Sequence, residues 1–93
     1  MIAGVGRALA DGDDVDWPVH GLRHPPHGES SGWFIWTGEL TEDEDFFVPL
    51  HPEHLEKRVP GLLAELAAPP GSRFLIAPGH RDAWFDESLL HIE

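Results

Sequence analysis

One stretch of the sequence repeats apolar side chains at the spacing of an α-helix, and it lies between runs that are typical of strands. Five apolar residues follow the helical period, at i, i+4, i+7, i+8 and i+11: Leu55, Val59, Leu62, Leu63 and Leu66. Pro52 suits the first turn of a helix, and Pro69-Pro70-Gly71 ends it. Pro60 interrupts the apolar stripe, so we expect either one helix with a kink or two short helices.

Runs rich in aromatic and β-branched residues flank this stretch on both sides. They predict four strands, at residues 31–36, 46–50, 73–77 and 82–86. Pro49 places the second run at a sheet edge or a strand end, and Pro78-Gly79 suits a hairpin turn between the last two. Residues 88–93 are a candidate for a further short strand. We therefore predict a small α+β domain, with an antiparallel sheet packed against one kinked helix or two short helices.

The first 29 residues differ in composition from the rest of the chain. An acidic run includes Asp11, Asp13, Asp14 and Asp16, and a stretch rich in histidine and proline follows it. No strand or helical period holds for more than a few residues here, and Gly4 and Gly6 weaken both interpretations of residues 2–10. We expect residues 1–29 to be mostly loop and residues 30–93 to form the α+β domain.

The charge balance limits the partners of this chain. The 93 residues carry six basic and 17 acidic side chains, a formal net charge of −11 with histidine neutral. Such an excess repels nucleic acid and anionic membranes, and it favours solubility or a basic partner. Residues 1–10 lack the charged start of a secretory signal. We expect a cytoplasmic protein that binds neither nucleic acid nor membranes.

Two motifs match catalytic or metal-binding patterns only in part. Gly28-Glu-Ser-Ser-Gly32 fits the Gly-x-Ser-x-Gly pattern of a nucleophilic serine, but that arrangement needs a strand before the turn and a helix after it. The acidic run 11–16 lacks the glycine and the glutamate that an EF-hand calcium loop requires. Without cysteine, neither disulfide nor thiolate chemistry is available. We predict neither enzymatic activity nor a cofactor.

The histidines provide the alternative hypothesis, a metal-binding or small metal-dependent catalytic module. The candidate ligands are His20, His24, His27, His51 and His54. The first three lie in a segment interrupted by proline, whereas the last two have i, i+3 spacing at the start of the predicted helix. Zinc needs three or four well-placed ligands. We expect these histidines to be surface residues without a metal.

An acidic connection and nearby aromatic residues predict a protein-binding surface. Five of the seven residues from 39 to 45 are acidic: Glu39, Glu42, Asp43, Glu44 and Asp45. Phe34 and Trp36 share one face of their predicted strand, and this face stays partly exposed if the helix covers the other. We predict that these acidic residues attract a partner and that Phe34, Trp36 and Trp84 contribute contact area. A core that buries all the aromatic residues is the alternative.

Five segments within residues 30–90 together resemble a known protein family. The segments that carry the resemblance are Gly32-Trp-Phe-Ile-Trp-Thr-Gly-Glu39, Asp45-Phe-Phe-Val-Pro-Leu-His51, Glu53-His-Leu55, Pro69-Pro-Gly-Ser-Arg-Phe-Leu-Ile-Ala77 and Asp82-Ala-Trp-Phe-Asp-Glu87. They are similar to the Imm33-like domain of polymorphic toxin systems. The resemblance implies an α+β, non-enzymatic, cytoplasmic protein that binds and neutralises a toxin encoded beside it, and residues 1–29 lie outside it. Since enzymes that hold phosphates are basic, a nuclease is the expected toxin.

Overall fold

A six-stranded sheet forms the body of the molecule. The computed structural model describes residues 1–12, 14–41, 43 and 45–91. Its strands are β1 (Ile2–Gly6), β2 (Val19–Arg23), β3 (Ser30–Thr37), β4 (Phe47–Leu50), β5 (Ser72–Ala77) and β6 (His80–Phe85). They lie in the order β4-β1-β3-β2-β5-β6. The described residues also form α1 (Arg7–Asp11), α2 (Leu62–Glu65) and 3₁₀ turns at Pro52–Leu55 and Glu87–Leu90, so the fold is α+β.

The sheet is mixed, so the prediction of an antiparallel sheet is wrong at one pair of strands. β1 runs parallel to β3, with Val5 opposite Ile35, whereas the other neighbouring strands are antiparallel. Parallel neighbours need a long connection. Here α1 and β2 lie between β1 and β3 in the sequence and provide that connection.

The segment before residue 30 contributes β1, α1 and β2, where we expected mostly loop. Two of its glycines, Gly4 and Gly6 on β1, lie against aromatic residues of β3. A Cβ atom at Gly4 would lie 2.8 Å from the ring of Phe34, and one at Gly6 would lie 3.0 Å from Cβ of Trp36. Close contacts with β3, which is distant in the sequence, therefore explain why glycine occupies these two positions. The local sequence pattern does not reveal these contacts.

The helical stretch is divided near Pro60 into two short helical elements, the 3₁₀ turn at Pro52–Leu55 and α2. This is the second of the two predicted alternatives. Leu55, Val59, Leu62 and Leu66 are buried, while Leu63 is 38% exposed. The carboxylate of Glu56 accepts hydrogen bonds from the backbone N–H groups of Gly61, at 2.8 Å, and Leu63, at 2.9 Å. These bonds satisfy free donors at the start of α2, and they hold the pKa of Glu56 below its ordinary value.

Residues of α1 and of the stretch from the 3₁₀ turn at Pro52–Leu55 to α2 cover one face of the sheet and enclose the core there. The core includes Val5, Val19, Trp33, Ile35, Leu62 and Phe74. The indole N–H of Trp33 donates to the carbonyl oxygen of Leu66 at 3.1 Å and thereby links β3 to the end of α2. We call this side of the sheet the covered face. The opposite side, which carries Phe34 and Trp36, is the open face.

The end of the chain turns instead of pairing as a strand, so the prediction of a short strand within residues 88–93 is wrong for its described part. Asp86 accepts a hydrogen bond from the backbone N–H of Ser88 at 3.0 Å, which favours the 3₁₀ turn at Glu87–Leu90. Leu89 is buried by this turn, and residues 92 and 93 lie outside the described residues. Neither helix in the described ranges has the length or apolar character needed to cross a membrane.

Candidate binding surface on the open face

Side chains of the open face form rows that cross the sheet. Phe34, Leu22, Arg73 and Trp84 are direct cross-strand partners on β3, β2, β5 and β6. Directly paired residues point to the same face, and neighbouring strands are about 4.8 Å apart. Phe34 and Trp84, three strands apart, are therefore separated by about 14 Å on one surface. The three aromatic residues predicted to bind a partner thus lie on one face, since Trp36 is two residues from Phe34.

Aromatic rings pack against one another around Phe47. The ring centroid of Phe47 lies 5.1 Å from that of Phe34, 6.1 Å from that of Trp36 and 4.8 Å from that of Phe46, each in an edge-on arrangement. His20 stacks on Trp36 with 5.4 Å between centroids. Such geometry is favourable for aromatic pairs and fixes their orientation. The cluster is therefore an ordered apolar surface.

A shallow apolar cavity of about 180 Å³ opens within this cluster. Its lining consists of Leu22, His24, Phe34, Trp36, Leu40 and Phe47. Leu40 follows β3 and is 49% exposed although it lines the cavity. A concave apolar site beside an exposed apolar side chain can accept an apolar group from a partner.

The three predicted aromatic residues differ in exposure. Trp84 is 47% exposed and Phe34 is half-buried, whereas Trp36 is only 5% exposed. Trp36 lies among His20, Phe47 and the backbone of Gly6. It can therefore present little area to a partner and mainly supports its neighbours.

The acidic loop, residues 39–45, borders the cavity through Leu40. Glu39, Asp43 and Asp45 are exposed, and Glu42 and Glu44 lie outside the described residues. Asp43 accepts a hydrogen bond from the backbone N–H of Asp45 at 2.9 Å. Arg7 donates from Nε to the carbonyl oxygen of Asp45 at 2.5 Å, and so attaches the loop to the start of α1. The end of the loop is thereby held beside the apolar cavity.

The other end of the open face carries an arginine beneath an exposed indole. The Arg73 guanidinium lies 5.9 Å from the ring centroid of Trp84 and forms an ion pair with Asp86 at 3.2 Å. Hydrogen bonds from the Ser88 side chain, followed by those from Arg73, lower the pKa of the Asp86 carboxyl. This ion pair holds the Arg73 guanidinium in place against the Trp84 ring.

The five candidate metal ligands are distributed over several elements. His20 lies on β2, and His24 approaches the carbonyl oxygen of Leu89 at 3.0 Å through Nδ1. His27 lies in a turn, whereas His51 and His54 are exposed near the 3₁₀ turn at Pro52–Leu55. Within the described ranges, no group of three or more histidine or acidic side chains is placed to hold a metal ion.

Burial also affects one of these histidines. Removal from solvent, together with the nearby positive charge of Arg73, lowers the pKa of His20. Its neutral form is therefore favoured at the centre of the open face.

The serine motif forms a turn that leads into β3. The Ser31 hydroxyl donates to the carbonyl oxygen of Ile2 at 2.7 Å, which joins the starts of β3 and β1. Gly32 has a φ of +88°, and a Cβ atom there would lie 1.9 Å from the carbonyl oxygen of His24. The motif accordingly forms a tight structural junction, with a strand where a nucleophilic elbow would have a helix.

Sequence reasoning missed three of the cavity residues, namely Leu22, Leu40 and Phe47. Leu40 gave a usable signal, because it is an apolar residue within a strongly acidic connection. No specific signal in the sequence marks Leu22 and Phe47 as cavity residues, because their place on the open face depends on the order and register of the strands.

Comparison with known proteins assigns this α+β domain to a family. A family model described as the Imm33-like domain matches residues 5–86, and the chain belongs to that family. The match confirms the resemblance seen in the sequence and extends it from residue 30 back to residue 5. It indicates a role of the immunity-protein type, which implies binding to a cognate toxin. No curated protein and no solved structure matches the chain.

Proposed function

We propose that this chain is an immunity protein that binds its cognate toxin domain through the open face and the acidic loop. The observation that carries the proposal is the position of the acidic loop, which borders an apolar cavity on the face that α1 and α2 leave uncovered. Apolar pockets with a charged rim are typical of protein interfaces. Family membership supports a protein as the ligand.

The toxin domain in this proposal is basic, and a nuclease is the preferred class. The chain carries a net charge of −11, which accelerates encounter with a positively charged surface. Nucleases hold a phosphate backbone with lysine and arginine, so their substrate-binding surfaces have the complementary charge. The immunity protein acts without catalysis, by occupying the surface that the toxin needs.

Leu40 provides the sharpest test of the apolar contact. We expect Leu40→Ala to weaken toxin binding about tenfold or more, because truncating a central apolar contact commonly costs more than 1 kcal/mol. The measurement is isothermal titration calorimetry with the toxin domain encoded beside this chain. Leu63→Ala is a matched control, since Leu63 is an exposed leucine on α2 behind the sheet. Equal affinities for the two variants would contradict the proposed surface.

Charge reversal tests the role of the acidic loop. We expect Glu39→Lys with Asp45→Lys to slow association at least tenfold at low salt, because steering depends on opposite charge. Asp11→Lys with Glu53→Lys changes the net charge equally but lies on α1 and on the 3₁₀ turn at Pro52–Leu55. Stopped-flow association rates at several salt concentrations separate the two pairs. Equal losses would show that overall charge, rather than this loop, controls encounter.

A further inference from the structure

The edge strand β6 has the features of a surface that pairs with another strand. All six of its residues are exposed, and it pairs regularly with β5 along its whole length, from Ser72 opposite Phe85 to Ala77 opposite His80. Natural edge strands are usually protected by proline, bulges, short length or charged side chains. The other edge follows this rule, because β4 has only four residues and contains Pro49. β6 has neither proline nor glycine, and its charged residues Arg81 and Asp82 lie in its first half, which leaves Ala83, Trp84 and Phe85 without this protection.

The backbone groups that β6 directs away from the sheet can be assigned. The N–H of Asp86 donates to the carbonyl oxygen of Gly71 at 2.7 Å, on the β5 side. Hydrogen-bonding groups alternate in direction along an antiparallel strand. The N–H and C=O groups of Phe85, Ala83 and Arg81 therefore point outward from the free edge.

The side chains beside this edge leave an apolar cavity on the covered face. The cavity has a volume of about 320 Å³, and its lining includes Ala68, Pro69, Phe74, Ala83 and Phe85. Phe85 is 57% exposed at its margin. A strand added to β6 would cover these side chains and pair the outward backbone groups.

We infer that β6 is a self-association edge, at which two copies of this chain pair antiparallel about a two-fold axis at Ala83. In this register Ala83 faces Ala83 of the second copy, and Arg81 faces the Phe85 side chain of the second copy. All three outward residues of each strand then pair, giving about six backbone hydrogen bonds. The inference goes beyond the proposed toxin binding and is independent of it.

Charge complementarity selects this register over its neighbours. The basic residues lie at the start of the edge, at His80 and Arg81, while Phe85 and Asp86 lie at its end. Antiparallel pairing about Ala83 places Arg81 opposite the aromatic ring of Phe85, a favourable combination, and brings no like charges directly opposite each other. A two-fold axis at Asp82 or Arg81 would instead place like charges directly opposite each other, which is destabilising.

An axis at Trp84 is also disfavoured. It would bring Asp82 opposite Asp86, and fewer of the outward backbone groups would pair. Each copy carries a net charge of −11, so long-range repulsion opposes assembly. Added salt screens that repulsion. Self-association should therefore strengthen with salt, whereas binding to a basic toxin should weaken.

Single-cysteine variants test the inferred edge directly, because the natural sequence contains no cysteine. In the inferred register the two Ala83 Cα atoms are about 5.5 Å apart, within the range that a disulfide spans. Ala83→Cys should therefore form a covalent dimer under mild oxidation. Asp82→Cys should crosslink much more slowly, because Asp82 faces Trp84 of the second copy. Ala8→Cys, at an exposed alanine on α1, is the control for random collision.

Sedimentation equilibrium of the natural protein supplies the second readout. We expect a mass of about twice 10.3 kDa at high protein concentration in moderate salt. Ala83→Lys should weaken self-association about tenfold, because like charges would then meet at the axis. Ala8→Lys should leave it unchanged, and circular dichroism checks that both variants fold.

Three results would overturn the inference. They are a monomer at every salt and protein concentration, a dimer that Ala83→Lys leaves intact, or faster crosslinking of Asp82→Cys than of Ala83→Cys. None of them bears on the open face, since toxin binding is measured with a different partner and has the opposite dependence on salt. Failure of either proposal can therefore be recognised separately.

Discussion

At the scale of single residues, Gly21 is a position where the fold depends on the absence of a side chain. It lies on β2 beneath the buried ring of Phe74, and a Cβ atom there would lie 2.1 Å from Cε2 of that ring. We expect Gly21→Ala to lower the free energy of unfolding by about 1–3 kcal/mol or more, as overpacking in cores does. Urea denaturation measures the change.

A compensating substitution provides the control for this position. Phe74→Leu removes part of the ring, so the double variant Gly21→Ala with Phe74→Leu should lose less stability than the sum of the two single losses. Neighbouring substitutions that share a contact are non-additive in this way. Strict additivity would show that the Gly21–Phe74 contact is not the cause.

His20 makes stability depend on pH. Burial and Arg73 lower its pKa in the folded chain, so the unfolded chain binds its proton more readily. The contribution of neutral His20 to the free energy of unfolding is therefore present above the ordinary histidine pKa of about 6.5, and it is lost as the pH falls below that value. We expect the loss of stability between pH 7.5 and 5.5 to be smaller in His20→Gln. An unchanged pH profile in urea denaturation would contradict this assignment.

At the scale of elements, the sequence predicts best where signals are local. Pro60 marks the division of the helical stretch, and Pro78-Gly79 marks the hairpin between β5 and β6. β1 was missed because Gly4 accommodates a ring from a distant strand. The open face could be anticipated from the alternation of Phe34 and Trp36, but the cavity depends on strand order, which no local pattern encodes.

The link between β3 and α2 can be tested at this scale. Trp33→Phe removes the indole donor and leaves the buried carbonyl oxygen of Leu66 without that partner. We expect a loss of about 1–3 kcal/mol in the free energy of unfolding, the usual cost of an unsatisfied buried group. Trp84→Phe, at an exposed indole, should change stability by less than about 0.5 kcal/mol. Similar losses for both would contradict the proposed role of this hydrogen bond.

At the scale of the whole molecule, the sheet separates two tasks. The covered face holds the core and the helices, so stability resides mainly there. The open face, which we propose binds the toxin, adjoins the acidic loop. The β6 edge is a third surface, set apart from the cavity by β2 and β5. A toxin at the cavity and the acidic loop and a second copy at the edge would therefore share only Trp84, which lies on β6 and on the open face.

Hydrogen exchange of the complex with the cognate toxin domain measures whether the toxin covers the open face and the acidic loop. We expect toxin binding to slow amide exchange in residues 33–47, which include most of β3 and the acidic loop, and to leave α1 and α2 as in the free protein. Protection concentrated on α1, α2 and the 3₁₀ turn at Pro52–Leu55, with residues 33–47 unchanged, would contradict this expectation.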